Sequence, residues 1–322
     1  MKISPKTSSL RGLNILVTGG SGFIGSVLVP KLLALNANVT VLDNFMFKQN
    51  SLSFCFKNKN FDVINGDSRD SILLEKICKK FDVFIPLAAY VGMPLCSKNI
   101  NEAKSVNTKA IKTLVSKLSK DQRIIIPNTN SGYGIGEKNK SCNEESPLNP
   151  VSLYGKTKVE AEKIVMSHPN SVSVRLATVF GVSPRMRTDL LVNDFVLRAF
   201  RDKFIVLFEA QFRRNFIHID DVANTFIYLV KNWNKVKNNI YNVGLSKANI
   251  NKKQLCEEIS KQINDFVFLE SEIGNDIDKR DYIVSNNKLE KTGWMPQKSL
   301  ADGIFELRRF YSTISTNQFG NV

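Results

Sequence analysis

The sequence Thr18-Gly19-Gly20-Ser21-Gly22-Phe23-Ile24-Gly25 decides how this chain folds. It follows an apolar run at residues 13–18 that predicts a buried strand, and it opens a helical pattern at residues 22–35. The glycines at Gly19, Gly22 and Gly25 allow backbone N–H groups to approach a pyrophosphate, which the positive end of a helix also attracts. The stretch therefore predicts a phosphate-binding loop between a first strand and a first helix.

The first half of the chain alternates short apolar runs with helical patterns, which is typical of a parallel sheet wrapped by helices. Strands are predicted at residues 13–18, 38–43, 61–65, 82–87, 123–128 and 171–177. Helices are predicted at residues 22–35, 98–119 and 151–167. The pattern indicates an α/β protein with a Rossmann-type doubly wound parallel sheet.

The regular alternation of short apolar runs and helical patterns ends after Gly181, and the later region has no glycine-rich loop of its own. It contains predicted helices at residues 188–203, 220–232 and 252–263 and predicted strands at residues 204–208 and 215–219. We therefore predict a dinucleotide-binding domain at residues 1–181 that also carries the catalytic residues. Residues 182–322 are predicted to form most of a smaller C-terminal substrate-binding lobe, intertwined with the first domain rather than independent.

The composition is that of a globular protein, with 43% hydrophobic and 23% charged residues. The apolar run near the N-terminus is too short for a signal sequence or a membrane span, so a cytoplasmic location and no membrane partner are predicted. The cysteines are scattered without the spacing of a metal site, which predicts reduced thiols and no bound metal. They are Cys55, Cys78, Cys96, Cys142 and Cys256.

The net charge of +15 is spread along the chain rather than gathered into a basic arm or an aromatic-studded patch. This distribution argues against a nucleic-acid partner. Most of the charge is interpreted as solvated surface, and the remainder would attract a polyanionic small molecule.

Tyr154 and Lys158 lie four residues apart in a predicted helix, so their side chains share one face. A phenol with a pKa near ~10 is a poor base at neutral pH, and a cation one turn away lowers that pKa by favouring the phenolate. The spacing also occurs by chance on solvated helices. Together with the glycine loop, however, the pair predicts a proton shuttle.

Asp43 ends the second predicted strand. A carboxylate at this place accepts hydrogen bonds from the adenosine ribose hydroxyls and repels a 2′-phosphate, which favours NAD over NADP. The alternative is an ordinary turn residue at the end of a strand.

The glycine loop, Asp43 and the Tyr154/Lys158 pair together resemble the extended short-chain dehydrogenase/reductase superfamily, in its branch of nucleotide-sugar epimerases and dehydratases. The resemblance covers nearly the whole chain and implies that Thr129, Tyr154 and Lys158 are catalytic, with Thr129 hydrogen-bonding the reacting sugar hydroxyl. It implies an NAD site made of Gly19, Gly22, Phe23, Ile24, Gly25, Asp43, Asn44, Asp67, Ser68, Leu87, Ala88, Ala89, Asn107, Tyr154 and Lys158.

The same resemblance implies a nucleoside-diphosphate sugar as substrate. The residues expected to contact it are Asn130, Ser131, Asn193, Arg185, Arg214 and Arg280. Arg214 and Arg280 match arginines that bind the diphosphate, which suits guanidinium groups because they pair phosphate oxygens bidentately. For Arg185 and the nearby Arg187, a role on the loop surface is the alternative.

The residues after Thr129 separate the reactions of this branch. Asn130 and Ser131 stand where 4,6-dehydratases carry Asp and Glu, and decarboxylases usually keep a Glu at the position of Ser131. Neither residue is a suitable proton donor or acceptor, which leaves C4 oxidation or C4 epimerisation. The wider sequence is most similar to the bacterial GDP-D-glycero-α-D-manno-heptose 4-dehydrogenases of capsule biosynthesis.

Two alternatives stay open at this point. A UDP-hexose 4-epimerase would use the same first step, and a non-catalytic NAD-binding sensor or scaffold is disfavoured because the chain keeps Thr129, Tyr154 and Lys158.

The helices predicted at residues 98–119 and 151–167 resemble those that pair two subunits in this superfamily, so a homodimer or higher homo-oligomer is expected.

Overall fold

The computed structural model describes residues 9–137, 140–274 and 280–314 of the chain. Its strands are β1 Asn14–Thr18, β2 Asn38–Asp43, β3 Phe61–Asn65, β4 Val83–Pro86, β5 Arg123–Thr129, β6 Ser141–Cys142, β7 Ser171–Leu176, β8 Thr178–Phe180, β9 Phe204–Phe208, β10 Arg213–His218, β11 Asn239–Val243, β12 Asn249–Asn251, β13 Val267–Ser271 and β14 Ile283–Val284. Its α-helices are α1 Gly25–Ala34, α2 Ser71–Ile77, α3 Met93–Lys98, α4 Ile100–Lys104, α5 Ala110–Ser116, α6 Leu153–Met166, α7 Leu191–Arg201, α8 Ile219–Lys231, α9 Trp233–Val236, α10 Lys252–Ser260, α11 Asn287–Glu290 and α12 Leu300–Tyr311.

A seven-stranded sheet in this part of the chain has the order β3-β2-β1-β4-β5-β7-β11. Its neighbouring strands all run parallel. The Rossmann-type α/β fold predicted from the sequence is thus confirmed. The strand order reverses between β1 and β4, which opens a crevice at the carboxyl ends of these two strands.

The sheet is buried because helices cover both of its faces. Ile125 of β5 packs in one apolar cluster with residues of α1 and α8. Its neighbours Ile124 and Ile126 point to the opposite face, where they pack with residues of α2, α5 and α6. Strands covered on both sides read as continuous apolar runs, which is why the sequence predicted six of the seven strands closely.

The seventh strand, β11, comes from the second half of the chain and pairs with β7 along Asn239–Val243. Helix α8, also from the second half, packs against α1. The sheet therefore extends past the division at residue 181 that the sequence suggested, and the two predicted regions are interleaved. The exact division into domains stays a prediction.

The helix predicted at residues 98–119 is interrupted. Helix α4 passes into a π-helical turn at Ser105–Lys109 before α5 begins. Asn107 lies in this turn, and its side chain bonds the Tyr90 backbone rather than solvent: the amide oxygen accepts from the Tyr90 N–H at 2.8 Å and the amide nitrogen donates to the Tyr90 carbonyl at 2.9 Å. The turn ties the loop after β4 to this helical segment.

The C-terminal lobe is built on short sheets and three longer helices. β8, β10 and β12 form a three-stranded sheet, while β9 pairs with β13 and β6 with β14. Helices α7, α10 and α12 contribute to a second apolar core, which includes Val196, Leu255, Ile259 and Ile304. This lobe faces the carboxyl edge of the large sheet.

Two further observations concern the cysteines and the helices. All five cysteines lie in the described part of the chain, where they are buried and form no disulfide. Among the helices described, none has the length and apolar character needed to cross a membrane.

A buried ion pair fastens α6 to the sheet. Glu162 of α6 and Arg175 of β7 are almost inaccessible to solvent, and their Oε1 and Nη2 atoms are 2.7 Å apart. The other Glu162 oxygen accepts hydrogen bonds from Asn128 at 2.7 Å and from Ser173 at 2.6 Å. Arg175 also donates to the Tyr133 hydroxyl at 3.0 Å. The network joins α6 to β5 and β7 without leaving the carboxylate unpaired.

We expect Arg175→Met to lower the free energy of unfolding by about 3 to 5 kcal/mol, because it would leave the Glu162 carboxylate buried without its cation. Denaturant unfolding measures the change. The matched control is Lys117→Met, which removes a solvent-exposed ion pair with Glu75 and should cost about 1 kcal/mol or less. Equal losses in the two variants would contradict a structural role for the buried pair.

Candidate active site

A cleft of about 890 Å³ extends from the glycine loop into the C-terminal lobe. Gly19 has a φ of +67°, and a Cβ at this residue would lie 2.5 Å from the backbone nitrogen of Ala88. A Cβ at Gly25 would lie 2.2 Å from the Gly20 carbonyl oxygen. Glycine is therefore required where the loop crosses the end of β4 and where α1 packs onto the loop.

The residues predicted to hold the dinucleotide line one arm of this cleft. They are Gly19, Gly22, Phe23, Ile24, Gly25, Asp43, Asn44, Asp67, Ser68, Leu87, Ala88, Ala89, Tyr154 and Lys158. The Asp43 carboxylate accepts hydrogen bonds from the backbone N–H groups of Ser21 and Phe45, both at 2.9 Å. Asp43 thus braces the glycine loop and the loop after β2 while it lines the cleft.

The local chemistry fits an anionic dinucleotide such as NAD. The N-terminus of α1 opens onto the cleft with no acidic residue in its first turn, so its partial positive charge is not neutralised there. The Ser21 hydroxyl beside it is buried and has no hydrogen-bond partner among the described residues. The glycines leave open space next to the loop backbone, which side chains at these positions would fill.

The three predicted catalytic residues meet in the cleft, where β5 ends and α6 begins. Ser152 caps α6 by accepting a hydrogen bond from the Gly155 N–H at 3.1 Å, which fixes the first turn that carries Tyr154. Thr129 ends β5 and lines the cleft together with Tyr154. Lys158 follows Tyr154 one turn later and is buried.

Burial dominates the proton affinities at this centre. It raises the pKa of Tyr154 to about 12, and the charges of Arg280 and Arg187 and the hydrogen bond from Thr129 oppose that rise. Burial also lowers the pKa of Lys158 to about 8, against the opposing charge of Glu162. The sequence predicted that Lys158 lowers the Tyr154 pKa, whereas in the structure burial raises this pKa and the cations that oppose the rise are Arg280 and Arg187.

Arg280 lies at the reacting centre. One of its Nη atoms donates a hydrogen bond to the Ser131 hydroxyl, which lies 2.9 Å from the Thr129 hydroxyl. The sequence interpretation placed Arg280 on the diphosphate. These contacts place it beside the Ser131 and Thr129 hydroxyls, in the same cleft as Tyr154. Arg214 also lines the cleft, with its guanidinium 5.8 Å from the centre of the Tyr282 ring.

Arg185 connects the C-terminal lobe to the cofactor arm of the cleft. It is buried, and its guanidinium stacks 4.5 Å from the centre of the Phe47 ring in the loop after β2. Its backbone N–H donates to the Ser26 hydroxyl of α1 at 3.2 Å. The loop-surface alternative for Arg185 and Arg187 is therefore wrong, since both side chains are buried in the cleft wall.

Three predicted contact residues do not line the cleft. Asn107 bonds the Tyr90 backbone, as described above, and also donates to the Thr157 hydroxyl at 3.1 Å. Asn193 accepts from the Gly181 N–H at 3.0 Å and donates to the Arg187 carbonyl at 2.7 Å. Asn130 is buried, with no partner for its side chain among the described residues. Asn107 and Asn193 shape the walls of the cleft from behind.

Sequence reasoning missed several residues of the substrate arm. Asp189, Asp194, Phe195, Arg198, Phe208, Lys252 and Tyr282 line it. Four of these seven residues belong to α7 and β9, whose existence was predicted but whose orientation was not. The sequence analysis also missed residues 45–49 of the loop after β2, which line the cleft as well. β9 alternates between buried Ile205 and Leu207 and exposed Val206 and Phe208, but its sequence is an unbroken apolar run, so no alternation in the sequence could reveal which side chains face outward.

The fold and the site define a dinucleotide-binding enzyme with a Tyr–Lys pair beside a substrate lobe. Residues 15–244 match the model of the NAD dependent epimerase/dehydratase family, and the chain belongs to that family. It is accordingly an NAD-binding enzyme, and the substrates of its family are nucleotide sugars.

Similar proteins support this membership. UDP-glucuronic acid decarboxylase 1 of Arabidopsis thaliana is 29% identical over 308 residues, which cover 91% of this chain and 68% of the plant protein. A putative UDP-glucose 4-epimerase of Methanocaldococcus jannaschii is 28% identical over 310 residues, or 90% and 95% of the two chains. The structure of a UDP-glucuronic acid 4-epimerase from Bacillus cereus, bound to UDP-glucuronic acid and NAD, superposes with a TM-score of 0.80 at 25% identity, covering 94% and 99% of the two chains.

The lowered pKa of Lys158 makes a prediction about stability. Burial in the folded state disfavours the charged amine, so the Lys158 pKa is about 8 in the folded chain and 10.5, the ordinary lysine value, in the unfolded chain. Below about pH 8 the side chain is protonated in both states, and the buried charge lowers the free energy of unfolding. We expect Lys158→Met to raise the free energy of unfolding at pH 7 by about 1 to 3 kcal/mol. The gain should shrink as the pH rises from about 8 to 10.5.

Denaturant unfolding of both proteins without cofactor at pH 7 and pH 10 measures this difference. The matched control is Lys163→Met, an exposed lysine of the same helix, which should leave stability nearly unchanged at both pH values. A Lys158→Met variant that is less stable than the parent at pH 7 would show that the buried ammonium is stabilising, contrary to our expectation.

Proposed function

We propose that this enzyme oxidises C4 of a nucleoside-diphosphate sugar and releases the 4-keto sugar, most favourably GDP-D-glycero-α-D-manno-heptose in capsule or other surface polysaccharide biosynthesis. The observation that carries the proposal is the pairing of Thr129, Tyr154 and Lys158 with a neutral Ser131 beside them. This centre has a proton acceptor for a hydroxyl group, and neither Asn130 nor Ser131 adds an acid or base for elimination.

The residues of the chain divide the work of the oxidation. NAD, when bound, accepts the hydride from C4. Tyr154 takes the proton of the C4 hydroxyl, and the Thr129 hydroxyl orients the same oxygen. The cationic side chains of Arg280 and Arg187 favour the phenolate form of Tyr154, and Lys158 supplies a further positive charge one helical turn away.

The neutral residues after Thr129 disfavour the reaction of one kind of relative, the dehydratases. A dTDP-glucose dehydratase must remove water, which needs an acid and a base, and Asn130 is buried away from the cleft. Ser131 is occupied by Arg280 and Thr129. Oxidation without elimination is the reaction that these groups support.

The choice of GDP-heptose is supported by the sequence resemblance at residues 128–137, 183–187, 191–195, 201–209 and 213–218. A diphosphate also suits the charge of the substrate arm. The cationic residues that line this arm and its entrance are Arg185, Arg187, Arg198, Arg214, Lys252 and Arg280. Two acidic residues, Asp189 and Asp194, stand among them.

The assembly and location of the enzyme stay proposals. Pairing through α4, α5 and α6 would give the homodimer expected from the resemblance. A cytoplasmic location agrees with the nature of the proposed substrate.

We expect Tyr154→Phe to lower turnover by on the order of 10² or more, because the variant keeps the packing of the ring but loses the proton acceptor. NAD affinity should change little. Initial rates of NADH formation and calorimetry with NAD measure the two properties. The matched control is Tyr228→Phe, which removes a hydroxyl outside the cleft that donates to the Thr292 carbonyl and should leave turnover intact. Near-normal turnover in Tyr154→Phe would contradict the assignment of the base.

The fate of the ketone distinguishes a dehydrogenase from a 4-epimerase. With stoichiometric enzyme, NAD and GDP-D-glycero-α-D-manno-heptose, NMR should show a C4 ketone or its hydrate together with NADH, and the C6 oxygen should be retained. An epimerase returns the hydride to the opposite face and shows no net redox change. Formation of only the C4 epimer, or conversion of UDP-glucose to UDP-galactose at comparable efficiency, would favour the epimerase.

A further inference from the structure

The substrate arm of the cleft ends in a slot between α7 and β9. Helix α7 packs against strand β9, and Leu191, Phe195 and Phe208 line the slot. The Phe208 side chain is 38% exposed, and it belongs to the exposed set of the alternating β9 strand. An aromatic face that lines a cleft offers a stacking surface for a planar heterocycle.

The slot lies beyond the reacting centre. Tyr154, Arg187, Asp189 and Asp194 all line the same cleft, and the Arg187 Nε donates to Asp189 at 2.8 Å. Asp194 lies in the first turn of α7, five residues after Asp189. Because the proposed reaction holds the sugar at Tyr154, the nucleoside end of a nucleoside-diphosphate sugar extends towards Asp194 and the slot.

Asp194 and Arg198 form a polar pair on the wall of this slot. The Arg198 Nε atom lies 3.0 Å from both carboxylate oxygens of Asp194. Among the described residues, Nε is the Arg198 atom that hydrogen-bonds a carboxylate. The pair therefore combines a carboxylate acceptor and a guanidinium donor side by side.

This combination matches one nucleobase better than the others. Guanine has an acceptor at O6 and donors at N1–H and at the 2-amino group along one edge, so a guanidinium and a carboxylate satisfy the edge together. Uracil and thymine have a single N–H between two carbonyl oxygens, and the second carbonyl would face the carboxylate. Adenine and cytosine place a ring acceptor next to their amino group, which a carboxylate also repels.

We infer that Asp194 and Arg198 recognise guanine in the substrate, with Asp194 accepting from N1–H and the 2-amino group and Arg198 donating to O6. The inference rests on the proposed function for the direction in which the substrate lies. It assigns the choice of base to two side chains that no motif of the sequence singled out.

Calorimetry on the full chain with saturating NAD, using GDP, inosine diphosphate and UDP, tests this inference. Inosine diphosphate keeps O6 and N1–H and lacks only the 2-amino group. We expect the parent protein to bind GDP about tenfold or more tightly than inosine diphosphate or UDP, as for the loss of a charge-assisted hydrogen bond. In Asp194→Ala, GDP and inosine diphosphate should bind within about twofold of each other. Arg198→Ala should weaken both by the same factor, since both carry O6.

The matched control is Asp202→Ala, an exposed aspartate after the end of α7, which should keep the preference of the parent protein for GDP. An unchanged ratio of GDP to inosine diphosphate affinity in Asp194→Ala, or equal binding of UDP and GDP by the parent protein, would overturn the inference. These ligands lack the sugar whose C4 would be oxidised. A failure of C4 oxidation with a GDP-sugar would therefore overturn the proposed function and leave the measured base preference standing.

Discussion

One buried carboxylate, that of Glu162, determines how the catalytic groups are placed. It accepts hydrogen bonds from Asn128, Ser173 and Arg175, so it joins helix α6 to strands β5 and β7. Asn128 directly precedes Thr129, and Lys158 lies one helical turn before Glu162. The distance between the hydroxyl of Thr129 and the phenol of Tyr154 is therefore set inside the core, by a network in which each partner is satisfied. The same carboxylate raises the pKa of Lys158 against the effect of burial.

The large sheet was predictable because parallel strands buried on both faces have few polar interruptions. Ile124, Ile125 and Ile126 show this pattern, and the predicted and observed strand bounds agree within about a residue there. β11 was missed because Asn239 and Asn242 break its apolar pattern, and tertiary contacts compensate for them: Asn242 accepts from the Tyr133 hydroxyl at 2.7 Å. The π-helical turn around Asn107 was missed for the same reason, since it depends on a partner seventeen residues away.

The parts of the candidate site that depend on backbone geometry could be predicted from the sequence. The parts that depend on the direction of a side chain were harder to predict. Glycine is required at positions 19 and 25 because a Cβ there would collide with neighbouring backbone atoms. The glycine motif in the sequence shows this requirement directly. The direction of a polar side chain depends on packing that the local sequence does not encode. Asn193 was therefore expected on the substrate and is found bonded to the backbones of Gly181 and Arg187. Arg280 hydrogen-bonds Ser131, and its expected contact with the diphosphate stays a prediction.

The residue at position 131 affects two properties of the site together. A carboxylate there would pair with Arg280 and neutralise it, and its own charge would oppose formation of the nearby phenolate. Ser131 is neutral, so it takes the hydrogen bond of Arg280 without cancelling its charge, and that charge lowers the pKa of Tyr154. The change from an acid to serine thus removes the group that elimination needs and favours the base that oxidation needs. Under the proposed function, both effects favour oxidation at C4, because Asn130 and Ser131 supply no second acid or base for loss of water from the ketone.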